Sequence, residues 1–151
     1  YGKQFFREIL HVFPKDAKIC TVKYNGEAVA GGFVYGYRDT LEIPWAASDK
    51  RYGRFAPNMM LYGSVLRYAC EQGYRVFDFG RSTKDSGTYR FKEQWGAKPV
   101  QLHWYYWLRD GGPLPELNPQ NPKYASAIRV WQQLPVSVTT TIGPWIAKHL
   151  P

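Results

Sequence analysis

Tyr74–Ala97, YRVFDFGRSTKDSGTYRFKEQWGA, is the stretch from which the fold is read. Val76-Phe77-Asp78-Phe79 is short and apolar enough for an interior strand, with Asp78 alternating away from Phe77 and Phe79. Gly80–Ser86 is a polar loop, and Ser86 or Asp85 is placed to cap a helix over Gly87–Trp95 that Gly96 stops. A rigid strand, a glycine-bounded loop and a helix N-terminus form the layout of a site.

Upstream, the same order occurs once more. Leu41–Ser48 reads as a strand, Asp49–Pro57 (DKRYGRFAP) as a polar loop, and the following segment as a helix with Asn58 near its cap. Met59, Leu61, Tyr62, Val65, Leu66, Ala69 and Cys70 give that helix a broad apolar face, and Gly73 fits the left-handed position that ends it. Strand, donor-rich loop and helix N-terminus suit an anion.

Before this lies an antiparallel meander. Ala17–Tyr24 alternates, and Asn25-Gly26 is a two-residue hairpin signal because both positions tolerate positive φ. In Ala28–Arg38 the Gly31-Gly32 pair predicts a bulge or a close approach of another group, and Asp39-Thr40 turns the chain. Pro44 in the third strand predicts an edge or an interrupted ladder. Gln4–Phe13 has the apolar spacing of a helix ended by Pro14. Lys98–Leu108 alternates as a final long strand, Arg109–Pro122 is a Pro/Gly/Asn-rich loop, and Lys123–Leu134 and Val136–Leu150 read as helices parted by Pro135. The order is a meander, then β-α-β-α-β, then helices: an α+β fold on a mixed sheet. No glycine-rich dinucleotide fingerprint is present.

Composition narrows the function classes. The 151 residues can bury one core, and an aromatic content of 17%, with twelve Tyr and six Trp, suits sheet faces and ligand channels alike. Cys20 and Cys70 in apolar contexts predict reduced, buried thiols of a cytoplasmic protein. His11, His103 and His149 lack zinc-ligand spacing, so no metal site is expected. No apolar run reaches the roughly 20 residues of a membrane span, and no signal peptide is visible. The net charge of +8 favours an anionic partner, and residues 50–98 hold ten Lys/Arg against four acids.

Lys92 is the residue the pattern singles out. It follows Phe91 on the short helix past the loop, with Trp95 a turn away, so its stem can pack on aromatics while its ammonium meets developing negative charge. The same spacing suits a surface lysine. Ser82, Thr83, Ser86 and Thr88 offer hydroxyls in capping or turn roles, and Asp78 and Asp85 serve either as a base or as partners of Arg81 and Arg90.

The run FDFGRSTKDSGTYRFKEQWGA, with APNMMLYGSVLRYACEQGY before it, resembles the C-terminal acyltransferase domain of the FemAB family. It is most similar to the FemAB-like proteins that accompany exosortase/PEP-CTERM and exopolysaccharide systems in bacteria. The resemblance spans residues 17–108 and extends to WQQLPVSV and GPWIAKHLP near the end. It implies a GNAT-like fold and a second domain following an N-terminal GNAT-like one. Residues 1–16 would then be a packing helix left from that domain, 17–108 the acyltransferase domain, and 109–151 a C-terminal loop and helices.

The resemblance also implies a cytoplasmic enzyme that transfers an acyl or aminoacyl group to an amine of a cell-envelope, peptidoglycan or exopolysaccharide precursor. Lys92, matched within Phe91-Lys92, becomes the catalytic residue. Arg81, Tyr89, Phe91, Asn58 and Trp45 become the expected substrate-binding set, and Lys50, Arg51, Gly53 and Arg54 the expected donor-phosphate set. The donor is acyl-CoA or aminoacyl-tRNA. Enzymes of the GNAT fold that use acetyl-CoA hold its pyrophosphate on a Q/R-x-x-G-x-G/A loop. Lys50-Arg51-Tyr52-Gly53-Arg54-Phe55 departs from that form, with lysine first and bulky Phe55 where a small residue is needed. Two other readings remain: an acetyl-CoA-dependent GNAT N-acetyltransferase, and a non-catalytic basic module that binds tRNA or an anionic glycan through arginines interleaved with aromatics.

Overall fold

The computed structural model describes residues 1–108, 111 and 122–147, with side chains described at 126–146 in the last of these stretches. The expected 109–122 loop (residues 111 and 122 apart), the Tyr124 side chain, His149 and the end of the expected last segment lie outside the described residues. The chain divides into two compact units, Glu8–Pro99 and Tyr1–Arg7 with Val100–Pro151.

The first unit is built on a four-stranded mixed sheet: β1 (Ala17–Tyr24), β2 (Glu27–Tyr37), β3 (Thr40–Ser48) and β4 (Val76–Asp78), in that spatial order. The first three strands are antiparallel, whereas β4 runs parallel to β3. A parallel neighbour needs a crossover, and α2 (Pro57–Glu71) supplies it. Asn25 and Gly26 both have positive φ, 49° and 85°, and close the expected two-residue hairpin. The second hairpin turns at Arg38 and Asp39, with Arg38 left-handed at φ 56°.

Pro44 has the effect expected of it. Phe33 pairs Trp45 and Tyr35 pairs Glu42, so Val34 faces both Ile43 and Pro44 in a bulge, and the missing amide falls where the ladder is broken. Of the two alternatives for Gly31-Gly32, close approach is the one realised. A Cβ on Gly32 would lie 2.8 Å from Ile43 Cδ1 and 3.4 Å from Leu61 Cδ2. The core beneath it joins Val34, Leu41 and Ile43 of the sheet to Leu61, Tyr62, Val65 and Ala69 of α2. Each such fully buried aliphatic side chain contributes about 1.5–3 kcal/mol. Gln72 caps α2 and Gly73 follows at φ 79°, as its position predicts.

Three expectations fail here. Val76–Asp78 is an end strand of the sheet among the described residues, not an interior one. Its apolar character goes instead into Phe77 and Phe79, which pack against the α2 core with ring centroids 4.7 Å apart. Lys98–Leu108 forms no strand, since alternation alone cannot satisfy a backbone without a neighbour. Trp107 is 85% exposed and Tyr105 93%. Cys70 is an exposed free thiol at the last turn of α2, past the end of the core, while Cys20 is half-buried and packs against it.

The helix α1 (Lys3–Val12) keeps its apolar stripe partly exposed. In the second unit, α4 (Pro122–Gln133) and α5 (Val136–Ala147) are parted at Pro135 as expected. A Cβ on Gly143 would stand 3.5 Å from Trp131, so a close approach joins these two helices. Among the described residues no helix is long and apolar enough to cross a membrane.

Candidate active site

Strands β3 and β4 stay together for three residues only. Thr40, Leu41 and Glu42 pair with Val76, Phe77 and Asp78; then β3 bulges at Pro44 and runs on to Ser48, while β4 gives way to the Gly80 loop. At this fork one row crosses the sheet in register: Tyr35 on β2, Glu42 on β3 and Asp78 on β4. Directly paired residues project to one face, so the row brings a phenol and two carboxylates together. Tyr35 Oη donates a hydrogen bond to Glu42 Oε2. Burial, that bond, and the charges of Glu42 and Asp78 push the Tyr35 pKa up to about 12.

Gly80 closes the fork. Its amide donates to Asp78 Oδ1 at 2.7 Å and fixes that carboxylate. Its φ is 69°, and a Cβ there would meet Ile43 O at 3.5 Å, Pro44 Cα at 3.6 Å and Glu42 Oε1 at 4.0 Å. A Cβ would find ordinary van der Waals contact there, so it is the left-handed backbone that favours glycine at this position.

The helix α3 (Gly87–Gln94) then delivers Lys92. Ser86 is its N-cap, the side chain accepting from Tyr89 N at 3.2 Å, which decides between the two expected caps. Phe91 meets Tyr62 edge-on at 5.0 Å and Trp95 at 6.3 Å, so the aromatic side of α3 seats on α2. That seat orients Lys92, whose Nζ donates to Gly80 O at 2.8 Å and Arg81 O at 3.0 Å. An ammonium has three N–H groups, so one remains. Burial pushes the Lys92 pKa below the ordinary lysine value, and the Asp78 charge pulls it partly back. Near these groups two buried polar atoms, Ser82 Oγ and Trp95 Nε1, have no hydrogen-bond partner among the described residues.

The expected site residues fall into three places. Lys92, Arg81, Tyr89 and Phe91 come together on the Gly80 loop and α3. Trp45 lies on β3 beyond the bulge, edge-on to Phe33 at 5.8 Å. Asn58 is exposed in the first turn of α2, and Lys50, Arg51, Gly53 and Arg54 sit just before it. The expected 49–57 loop is not an open loop: Lys50–Phe55 forms a 3-10 helix capped by Asp49. Tyr52 N bonds Asp49 O, Ala56 N bonds Gly53 O, and Arg51 donates to both Asp49 carboxylate oxygens, so part of the donor set is already engaged.

Phe55 does not lie over Gly53, where a Cβ would meet nothing within 4 Å; its ring stacks on Tyr24 at 4.6 Å. The contacts of this helix turn toward the β1–β2 hairpin, Tyr52 Oη donating to Glu27 at 2.7 Å. An open depression of about 240 Å³, lined by small residues such as Ala28, Gly31 and Ala47, reaches Asp49. Tyr35 and Glu42 escaped the sequence reading. Their pairing depends on the Pro44 bulge, and the one trace of it in the sequence is a glutamate inside an otherwise apolar strand.

The family described as acetyltransferase (GNAT) domain matches residues 1–93. The chain belongs to that family. Among solved structures it is similar to an aminoglycoside acetyltransferase from an uncultured soil metagenomic sample. That match has TM-score 0.56 and 18% identity, over 72% of this chain and 76% of the other. It is also similar to the ribosomal-protein-alanine N-acetyltransferase of Brucella melitensis biovar Abortus 2308, with TM-score 0.57 and 11% identity over 72% and 82%. A third likeness is to the aminoglycoside N-acetyltransferase AAC(6')-Iy in complex with CoA, TM-score 0.54 at 12% identity over 70% and 90%. At these identities the likeness is one of fold. None of the curated proteins compared with the chain matches it.

Proposed function

We propose that the chain is an N-acyltransferase domain that moves an acyl group from a thioester donor, acetyl-CoA in the first instance, to a primary amine at the β3–β4 fork. The observation that carries this is the fork itself. It places the Tyr35–Glu42–Asp78 row beside a lysine that a glycine-bounded loop holds in place.

The amine arrives as an ammonium and gives a proton to the Glu42–Asp78 side of the row, which Tyr35 orients through its bond to Glu42. The neutral nitrogen attacks the acyl carbon. The C–N bond forms, the carbonyl oxygen takes negative charge, and the third N–H of Lys92 stabilises it. The oxyanion collapses, the C–S bond breaks, and the thiolate leaves; the new amide nitrogen loses its extra proton to solvent and the thiolate is protonated from solvent, so the two balance. No enzyme-bound acyl intermediate is needed. In this reading Arg81 and Tyr89 contact the acceptor, Phe91 supports Lys92, and Trp45 and Asn58 border the substrate path. Lys50, Arg51, Gly53 and Arg54 face the donor phosphates, and the protein acts in the cytoplasm.

A second reading is favoured by the Phe91-Lys92 run in its aromatic setting: a FemAB-like enzyme whose donor is aminoacyl-tRNA and whose acceptor is an amine of an envelope or exopolysaccharide precursor. One assay separates the two. The protein is given acetyl-CoA with a panel of primary amines while thiol release is followed, and in parallel aminoacyl-tRNA with the same amines. Amine-dependent thiol release supports the first reading. Deacylation of the tRNA onto an amine supports the second, and neither product under any condition overturns transfer altogether.

A further inference from the structure

The unit of Tyr1–Arg7 and Val100–Pro151 packs α5 on two small residues. Gly143 lies against Trp131 of α4, and a Cβ on Gly2 would meet Pro144 Cγ at 3.9 Å. One side of α5 is covered in this way. Val138, Ile142 and Trp145, spaced i, i+4 and i+7, lie together on another side and form an exposed apolar stripe, with Trp145 67% exposed.

The threonine hydroxyls of α5 ask nothing of water. Thr139 and Thr140 donate to Val136 O, and Thr141, beside the stripe, donates to Ser137 O at 2.8 Å. A hydroxyl bonded to its own helix can leave water without being orphaned. The helix carries no charged residue over its twelve positions.

The rest of the unit has the complementary chemistry. Lys3, Arg7 and Arg129 are exposed, and none forms an ion pair among the described residues. In sequence the unit holds six Lys/Arg against two acids, Asp110 and Glu116. Trp104, Tyr105, Tyr106 and Trp107 add four consecutive rings, each more than half exposed. Tyr and Trp, wet at one edge and apolar in the body, are the side chains that gather at the headgroup level of a bilayer.

A twofold contact with a second copy would set these cations against themselves. An anionic bilayer offers an apolar depth to the stripe and phosphates to the cations. Length decides the mode: twelve residues of helix reach about 18 Å, short of the ~30 Å hydrocarbon core, so α5 would lie in the surface and not cross it.

We infer that this unit is a peripheral docking surface for an anionic lipid bilayer. The Val138–Ile142–Trp145 stripe enters the boundary between headgroups and acyl chains, and the cations of the unit stay among the lipid phosphates. The inference does not depend on the transferase reading.

Vesicle flotation of the full chain is the test. The vesicles are phosphatidylcholine alone or an equal mixture with phosphatidylglycerol. The expected result is flotation with the anionic vesicles, much weaker with the neutral ones, and declining as salt rises. Ile142→Ser combined with Trp145→Ser should lower the partition coefficient about tenfold or more, and Arg129→Gln about fivefold. Met60→Ser, which removes a 61% exposed apolar side chain from α2, should leave it unchanged. Far-UV circular dichroism accompanies each variant, and Arg129→Gln, a swap of two good helix formers, keeps the test open should the double variant unfold. Equal partition onto both kinds of vesicle, binding that survives the double substitution in a folded protein, or no flotation at low salt overturns the inference. So does a dimer in sedimentation that the same substitutions dissolve while vesicles are ignored, since the stripe would then belong to a second copy.

Discussion

The two strand-to-helix crossings of this sheet share the order strand, connecting segment, helix, and are held by different physics. After β3 the chain winds into the 3-10 helix Lys50–Phe55, tied at the surface by Asp49, by Glu27 and by rings stacked under arginines. After β4 it stays an irregular loop, tied from below by Lys92 and pressed onto β3 at Gly80. The first crossing satisfies backbone amides within a few residues of sequence, at Asp49 and Gly53, and its long-range ties, Tyr52 to Glu27 and Phe55 to Tyr24, are side chain to side chain. The second depends on a lysine that folds back over eleven and twelve residues. A segment whose backbone is satisfied locally can bind or release a ligand with little effect on its neighbours, whereas a segment whose backbone carbonyls are latched to a helix fixes geometry. In the proposed enzyme the first crossing holds and the second reacts.

The largest effect that sharpens the comparison is on chemistry. Glu42→Gln keeps the shape of the row and removes the carboxylate that Tyr35 orients, leaving Asp78 alone, so kcat for acetyl transfer is expected to fall about 10²-fold with KM for the donor little changed. The same measurement on Lys50→Ala, at the first crossing, should show the reverse pattern: a raised KM and a nearly constant kcat. Equal kcat losses at the two crossings would erase the distinction.

Stability comes next. Gly80→Ala places a Cβ on a residue held at φ 69° and should cost about 1–3 kcal/mol in urea unfolding, from the backbone conformation and not from crowding. Gly53→Ala meets nothing within 4 Å and has no positive φ, so it should be neutral or stabilise by about 0.4–1 kcal/mol. Comparable losses at both glycines would mean that the second crossing is no more constrained than the first. Ser86→Ala removes the α3 cap and should lower stability by about 1 kcal/mol.

The smallest effect is a pH dependence. The folded-state pKa of Lys92 lies below that of the unfolded chain, so between the two values the unfolded state binds more protons and stability rises with pH. Wild type should therefore gain on Lys92→Met as pH climbs toward 10.5, the ordinary lysine value, when unfolding midpoints are compared. A constant gap between them would show that burial does not act on this ammonium.

Much of this was legible in the chain. Asn25-Gly26, Gly73, Gly96, Ser86 and Pro44 each act through backbone rules that need no tertiary knowledge, and each does what its position predicts. The α2 face was legible because its period is local. The fork was not. Register across three strands is a long-range property, set here by a bulge, and nothing in the linear spacing of Tyr35, Glu42 and Asp78 announces their meeting. The latch also escaped, because backbone carbonyls as partners leave no mark in a sequence. Lys98–Leu108 shows the opposite error: it has the alternation of a strand, but strand formation also needs a partner edge.

One measurement bears most directly on the placement of the chemistry at the second crossing: kcat for acetyl transfer from acetyl-CoA to a primary amine by wild type and Lys92→Ala, with circular dichroism on both. The account predicts a loss of about 10²–10³-fold in kcat with an unchanged fold, the scale of removing one oxyanion donor. Undiminished turnover in a folded Lys92→Ala protein would contradict it and leave Lys92 a purely structural latch.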